Sequence, residues 1–199
     1  ELCITWINRI LFLKLLEAQM LKYHNGELCY KFLTIKKIRD FDDLNTLFFQ
    51  VLARDFEHRT PSILKSFEYV PYLNSSLFEV TELESDTIKI NSLSQREELP
   101  LLSSSVLKNK KGNLKVDSLS ALEYLFAFLD AYNFASEGSE EVQEEAKTLI
   151  NASVLGLIFE KINGHKDGSV FTPGIITMYM CREAITKTVL QKFNGFYGW

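Results

Sequence analysis

The sequence predicts a mainly α protein, a helical bundle with a small β insertion or hairpin in its middle. Three observations carry that prediction. Apolar residues recur at helical spacing near 2–24, 41–56, 120–132 and from 173 onward. Between about 62 and 117 that period is lost, and short alternating runs replace it. Hydrophobic residues make up 46% of the 199, with 15 Phe among them. A chain of this length buries roughly 70% of its unfolded surface, so a substantial core is available.

The first helix runs from about Leu2 to His24, with Ile4, Ile7, Leu11, Leu15 and Ala18 on one stripe. Asn25-Gly26 supplies its stop. Trp6, Ile10 and Leu13 lie off the stripe, so this helix is expected to pack between neighbours. A second helix, Phe41 to Phe56, places Phe41, Leu44, Phe48, Val51 and Leu52 at helical period. Asp40, Asp42 and Asp43 sit at its start, where carboxylates favour the helix dipole. Thr60-Pro61 is expected to end it. Val70-Pro-Tyr-Leu-Asn then reads as a turn, and Thr87-Ile-Lys-Ile-Asn alternates like a strand. Leu99 to Leu107 offers a second strand, and Lys108 to Asn113 a charged turn. Ser120-Ala-Leu-Glu123 has capping-box spacing and opens a helix whose stripe is Leu122, Phe126, Leu129 and Tyr132. After a loop at Ser136 to Gly138, a helix is expected from Glu140 towards Lys161, with a restart near Ser153. A last helix, Pro173 to about Lys192, carries Ile175, Met178, Cys181, Ile185 and Val189 on one face.

The net charge of −4 argues against this chain being the main phosphate-gripping surface of a DNA-binding protein. Two local basic clusters remain, Lys108, Lys110, Lys111 and Lys115, and Lys31, Lys36, Lys37 and Arg39. Each reads as solvated surface ahead of a phosphate contact. No apolar run reaches the ~18 residues of a membrane span, because Arg9, Lys14 and Glu17 interrupt the N-terminal candidate. Cys3, Cys29 and Cys181 are odd in number and widely spaced, and read as free thiols in a reducing cytoplasm. His24, His58 and His165 have no metal-ligand spacing, so no metal site is expected. Glu145-Ala-Lys147 with Asp130 imitates a nuclease carboxylate–lysine spacing. It falls on predicted helix, where a solvated face is the better reading.

The densest signal lies near the C-terminus. The helical run Val154-Leu-Gly-Leu-Ile-Phe-Glu-Lys-Ile leads to a loop with Gly164 and Gly168, then Phe171-Thr172-Pro173-Gly174. Thr172 is a good N-cap, and Pro173 suits the first helical position, where its missing N–H costs nothing. The free amides of such an end carry partial positive charge and suit a carboxylate or phosphate. Local chemistry alone favours an ordinary capped helix start joined to a core phenylalanine.

Phe171-Thr172-Pro173, preceded by Asp167-Gly168-Ser169 and followed by a helix, resembles motif X of the N6-adenine DNA methyltransferases of type I and type IIG restriction-modification systems. Leu155-Gly-Leu-Ile-Phe-Glu160 is similar to the helix leading into that motif. Tyr132-Asn-Phe134, Asn8-Arg-Ile-Leu-Phe-Leu-Lys-Leu-Leu-Glu17 and Val70-Pro-Tyr-Leu-Asn-Ser-Ser-Leu-Phe-Glu79 resemble further signatures, in the family's order.

The resemblance implies that residues 1–150 form a helical connector with an irregular or β insertion at about 62–117. It implies that 151–199 begin the methyltransferase region. Phe171, Thr172, Pro173 and Gly174 would then border the methionine part of S-adenosylmethionine. Phe171 forms a wall, Thr172 caps the helix, and Gly174 permits close approach of the backbone, whose amides at Gly174 and Ile175 face the cofactor carboxylate. The family's catalytic Asn/Asp-Pro-Pro-aromatic loop is missing, because the four prolines, at 61, 71, 100 and 173, are never adjacent. No glycine-rich cofactor loop follows a strand pattern either, so the site is incomplete here and no catalytic residue is expected. With its start inside an apolar helix pattern, the chain reads as a piece of a cytoplasmic type II restriction-modification methyltransferase. Its implied partners are the remainder of the methyltransferase domain and, through it, double-stranded DNA. The alternative is a non-catalytic helical protein-interaction module in which Thr172-Pro173 is merely a cap.

Overall fold

The computed structural model describes residues 1–109, 111–134, 149–150, 154–158, 161, 172 and 174–197. They fall into two units, Glu1–Ala152 and Ser153–Trp199. The fold is mainly α with a small β hairpin, the class that the periodicity predicts.

Helix α1, Leu2–Tyr23, ends at the expected place. Asn25 and Gly26 both adopt positive φ, 51° and 82°, and the Gly26 amide donates to the Leu21 carbonyl at 2.7 Å. Its buried face differs from the expected stripe. Trp6, Arg9, Ile10, Leu13, Lys14 and Glu17 point inward, while Ile7 is 45% exposed. Half of the inward set is charged, so a count of apolar residues assigns the wrong side. Burial of those charges is possible only because each finds partners, described below.

Helix α2, Phe41–Thr46, is capped by Asp40, whose side chain accepts from the Asp43 amide. The expected single helix to Phe56 does not continue as such. From Leu47 to Leu52 the chain widens into a π-helix, a rare form found mostly as single turns. That segment together with Leu44 presents Leu44, Leu47, Phe48, Val51 and Leu52, all fully buried, to the core. Asp55 then caps a 3-10 turn at Phe56–His58. Thr60-Pro61 opens helix α3, Pro61–Ser66, and does not end the preceding helix. Proline is tolerated in a first turn, and Thr60 is extended as a residue before proline tends to be.

In the middle, Thr87–Asn91 forms no strand. Helix α4, Glu82–Asp86, precedes it behind a capping box of Thr81 and Glu84, and Ile90–Ser92 is a 3-10 turn with Ile90 in the core. Of the stretch Leu99 to Leu107, only the start is strand. Strand β1, Glu98–Pro100, pairs antiparallel with β2, Ser118–Ser120, with Leu99 opposite Leu119. Proline suits this two-stranded edge because no further strand needs its missing N–H. The hairpin's far end is the expected charged turn. Lys108 bridges Leu114, the Asn109 side chain accepts from the Lys111 and Asn113 amides, and Gly112 takes φ 82°.

Helix α5, Ala121–Asp130, starts with the anticipated Ser120–Glu123 capping box and buries Leu122, Phe126 and Leu129. Strand β3, Asn133–Phe134, then pairs in parallel with β4, Leu149–Ile150. A helix was expected across 149–150, and the strand corrects it. The rest of that expected stretch, 140–148, lies outside the described residues, while 154–158 are helical. In the second unit, helix α6, Gly174–Tyr197, extends five residues beyond the expected end at Lys192.

Candidate cofactor element and buried ion pairs

Of the four residues proposed from sequence to border a cofactor, Phe171 and Pro173 lie outside the described residues. Thr172 is exposed, and Gly174 is the exposed first residue of α6. A Cβ built on Gly174 would meet nothing within 4 Å. The first turn is stitched by the Thr177 hydroxyl, which donates to the Gly174 carbonyl at 2.9 Å. The first amides of a helix have no intrahelical acceptor, so the start of a 24-residue helix offers donors and partial positive charge to an anion. The helix also exposes Ile175, Met178, Tyr179, Ile185, Phe193 and Phe196.

Two of the other signature segments meet in the first unit's interior. Arg9 on α1 is fully buried and grips Glu84 of α4 through both terminal nitrogens, at 2.5 and 2.8 Å. The same guanidinium donates to the carbonyls of Leu77, at 2.6 Å, and Glu79, at 2.8 Å. Segments 8–17 and 70–79 are therefore bolted together by one side chain. Trp6 donates its indole N–H to Glu84 at 2.8 Å, and Thr81 donates from its amide and hydroxyl. Burial pushes the Glu84 carboxyl up, but hydrogen bonds from Arg9, Thr81 and Trp6 outweigh this and hold it at about 2.

A second cluster lies further along α1. Lys14 bridges Glu17 at 2.7 Å and Asp130, the last residue of α5, at 2.6 Å. Asp130 also takes Lys31 at 2.8 Å. The other Glu17 oxygen accepts from the Phe32 and Leu33 amides at 2.8 and 2.6 Å, and both of those side chains are buried. Burial raises the Asp130 carboxyl, yet the bonds from Lys14 and Lys31 leave it lowered. Burial likewise lowers the Lys14 ammonium, and its two carboxylate partners reverse that, leaving it raised.

These shifts set an acid limit on stability. The folded value of Glu84 lies below its ordinary 4.5. Its contribution is therefore complete above about pH 5 and is lost as pH falls through 4.5 towards 2. A shift of that size corresponds to roughly 3 kcal/mol. Asp130 acts in the same direction. Denaturant melts from pH 7 to pH 2 should show stability falling by that order, and Glu84→Gln should flatten the profile. A profile as steep in Glu84→Gln as in the native chain would contradict the assignment.

The remaining sequence candidates separate clearly. In one basic cluster Lys31 is paired with Asp130, Lys37 donates to the Cys29 carbonyl and Arg39 is paired with Asp43, leaving Lys36 exposed. In the other, Lys108, Lys111 and Lys115 are exposed, and Lys110 lies outside the described residues. Asp130 is committed to its lysines, and Glu145 and Lys147 lie outside the described residues, so no nuclease constellation can be traced. Among the described residues no group of three His, Cys, Asp or Glu could hold a metal, and no helix is long and apolar enough to cross a membrane. The sequence reading missed the role of Arg9 and Glu84. The available signal was an arginine at helical spacing between Trp6 and Leu13, inside an apolar run, with an acidic residue at a capping-box position downstream.

Fold and site together define a mainly helical domain pinned by buried ion pairs, followed by a separate long helix. The chain belongs to the family described as a domain of unknown function, DUF7814, which matches residues 1–150. It is also similar to a putative type II restriction enzyme and methyltransferase of Methanocaldococcus jannaschii, with 27% identity over 166 residues. That alignment covers 76% of this chain and 11% of the relative's length. No solved structure matches the chain.

Proposed function

We propose that this chain is the helical connector of a site-specific DNA adenine-N6 methyltransferase of a restriction-modification system. In this reading it also carries the motif X part of the S-adenosylmethionine site. The observation that carries the reading is the order Phe171-Thr172-Pro173 followed at Gly174 by a 24-residue helix. Support comes from a relative named as a restriction enzyme and methyltransferase, which the chain matches over a small share of that protein's length. The first unit acts as a rigid platform, its signature segments held by Arg9 and Lys14. Thr172 and the first amides of α6 face the cofactor carboxylate, and Phe171 walls the sulfonium, where an aromatic face attracts positive charge. The catalytic loop and the rest of the pocket come from other parts of the intact protein, which extracts the target adenine from duplex DNA. The free thiols of Cys3, Cys29 and Cys181 accord with a cytoplasmic setting.

A second reading, a helical interaction module, draws on the apolar side chains exposed along α6. Activity separates the two. Incubated with DNA, Mg²⁺ and labelled S-adenosylmethionine, this chain alone should neither transfer methyl groups nor cleave. The intact protein should yield N6-methyladenine on nucleoside digestion. Failure of the intact protein to methylate any DNA would leave the interaction module as the better account.

A further inference from the structure

One cavity of the first unit plays no part in the motif X reading. It holds about 230 Å³ and is lined by Asn45, Phe49, Val80, Glu84, Lys89, Ile90 and Asn91. Four local structures build it. Asn45 comes from α2, Phe49 from the π-helical turn that follows, and Glu84 from α4, while Ile90 and Asn91 belong to the 3-10 turn after it. The π-turn is itself informative, because such turns concentrate at functional sites, where they redirect a side chain that a regular helix would place elsewhere. Phe49 lies in this turn and lines the cavity. Its ring is held by the buried Arg9 guanidinium, 5.1 Å from its centroid, and by Phe48 edge-on at 6.0 Å.

The polar lining divides into spent and unspent groups. The Glu84 carboxylate already accepts from Trp6, Thr81 and both terminal nitrogens of Arg9, and two oxygens offer about four acceptor positions. It has no capacity to act as a base or to take a metal. Asn45, Asn91 and Lys89 are the reverse, with no side-chain partner among the described residues. Two carboxamides, an aromatic ring and aliphatic walls suit a flat, uncharged ring with donors and acceptors on its edge. An asparagine amide pairs such an edge in bidentate fashion, as it does with adenine. The exposed Lys89 ammonium at the rim suits an attached anion. The volume lies below the roughly 300–1,000 Å³ of sites for drug-sized ligands, which points to one ring system and not a dinucleotide.

We infer that this cavity is a binding site for a single nucleobase carrying a phosphate, seated against Phe49, read by Asn45 and Asn91, with the phosphate at Lys89. The base comes either from a free nucleotide or from an unpaired position of a nucleic-acid strand. The site is independent of the cofactor role of Thr172.

The test is a titration of the whole 199-residue chain, followed through its side-chain amide resonances and through the fluorescence of Trp6, which adjoins the site through Glu84. The probes are adenosine, adenosine monophosphate, inorganic phosphate, a short single-stranded oligonucleotide and the corresponding blunt duplex. Adenosine monophosphate should shift the Asn45 and Asn91 amides at millimolar concentration or below, whereas inorganic phosphate alone should not. Asn45→Leu and Asn91→Leu should each weaken binding about tenfold or more, the loss that one bidentate amide–base pair carries. Lys89→Met should weaken the monophosphate and leave adenosine unchanged, a split that a merely structural lysine would not produce. Melting curves of Asn91→Leu and Lys89→Met should match the native chain, since both residues are exposed. Tighter binding of the single strand than of the monophosphate assigns the base to nucleic acid, and the reverse assigns it to a free nucleotide. Amides that stay unshifted with every probe, or affinities unchanged by both asparagine variants, would overturn the inference.

Discussion

Replacing Arg9 with methionine should unfold the first unit or lower its melting temperature by about 6–20 °C. The substitution keeps length and much of the volume, but it leaves the Glu84 carboxylate buried without its cation and the Leu77 and Glu79 carbonyls without their donor. Breaking one side of a buried pair typically costs about 3–5 kcal/mol, and each kcal/mol shifts the midpoint of a chain of this size by about 2–4 °C. The double variant Arg9→Met with Glu84→Gln should recover part of the loss, because it removes the uncompensated charge. A midpoint unchanged in Arg9→Met would show that the segments are held together by apolar packing alone. Circular dichroism melts of the three proteins are sufficient.

The second large effect concerns Gly174, for which structure and proposed function make opposite demands. A side chain there meets nothing within 4 Å, so Gly174→Ala is sterically free within this chain. Alanine in a helix also stabilises by up to roughly 0.5–1 kcal/mol over glycine. If the cofactor lies against this backbone, the added methyl occupies its space. The expected result in the intact protein is an unchanged or slightly raised melting temperature together with S-adenosylmethionine affinity reduced by about tenfold or more, equal to roughly 1.4 kcal/mol. Equal affinity in the two proteins would place the cofactor elsewhere.

The fold was largely legible where local chemistry decides. Asn25-Gly26, the Ser120–Glu123 box and the Lys108–Asn113 turn act through residues a few positions apart, and all three form as their sequences imply. Thr87–Asn91 alternates like a strand, but among the described residues no strand pairs with it. It instead follows the Thr81-capped α4 with a tight turn that buries Ile90. The inward face of α1 escaped the reading because its partners are remote, Glu84 lying 75 residues from Arg9 and Asp130 lying 116 from Lys14. A charge with a distant counter-charge looks, in one dimension, like a residue facing solvent. The π-turn was hidden for a related reason. Phe48, Val51 and Leu52 fit a regular helical period well enough, and nothing in their spacing marks the wider turn. Of the segment read as the cofactor element, the helix expected from Pro173 is present from Gly174, and Phe171 and Pro173 lie outside the described residues.

The central claim is that Thr172 does more than start a helix. Its most direct test is calorimetric titration of S-adenosylmethionine into the intact protein and its Thr172→Val variant, with thermal melts of both. Valine keeps the side-chain shape and removes the oxygen, costing about 1 kcal/mol if the residue is a cap alone. The connector account predicts cofactor affinity weakened well beyond the loss of stability, and no measurable binding by this 199-residue chain alone, because one wall of a pocket cannot bury most of a small ligand. A lowered melting temperature with unchanged affinity would contradict it and leave Thr172 as a helix cap.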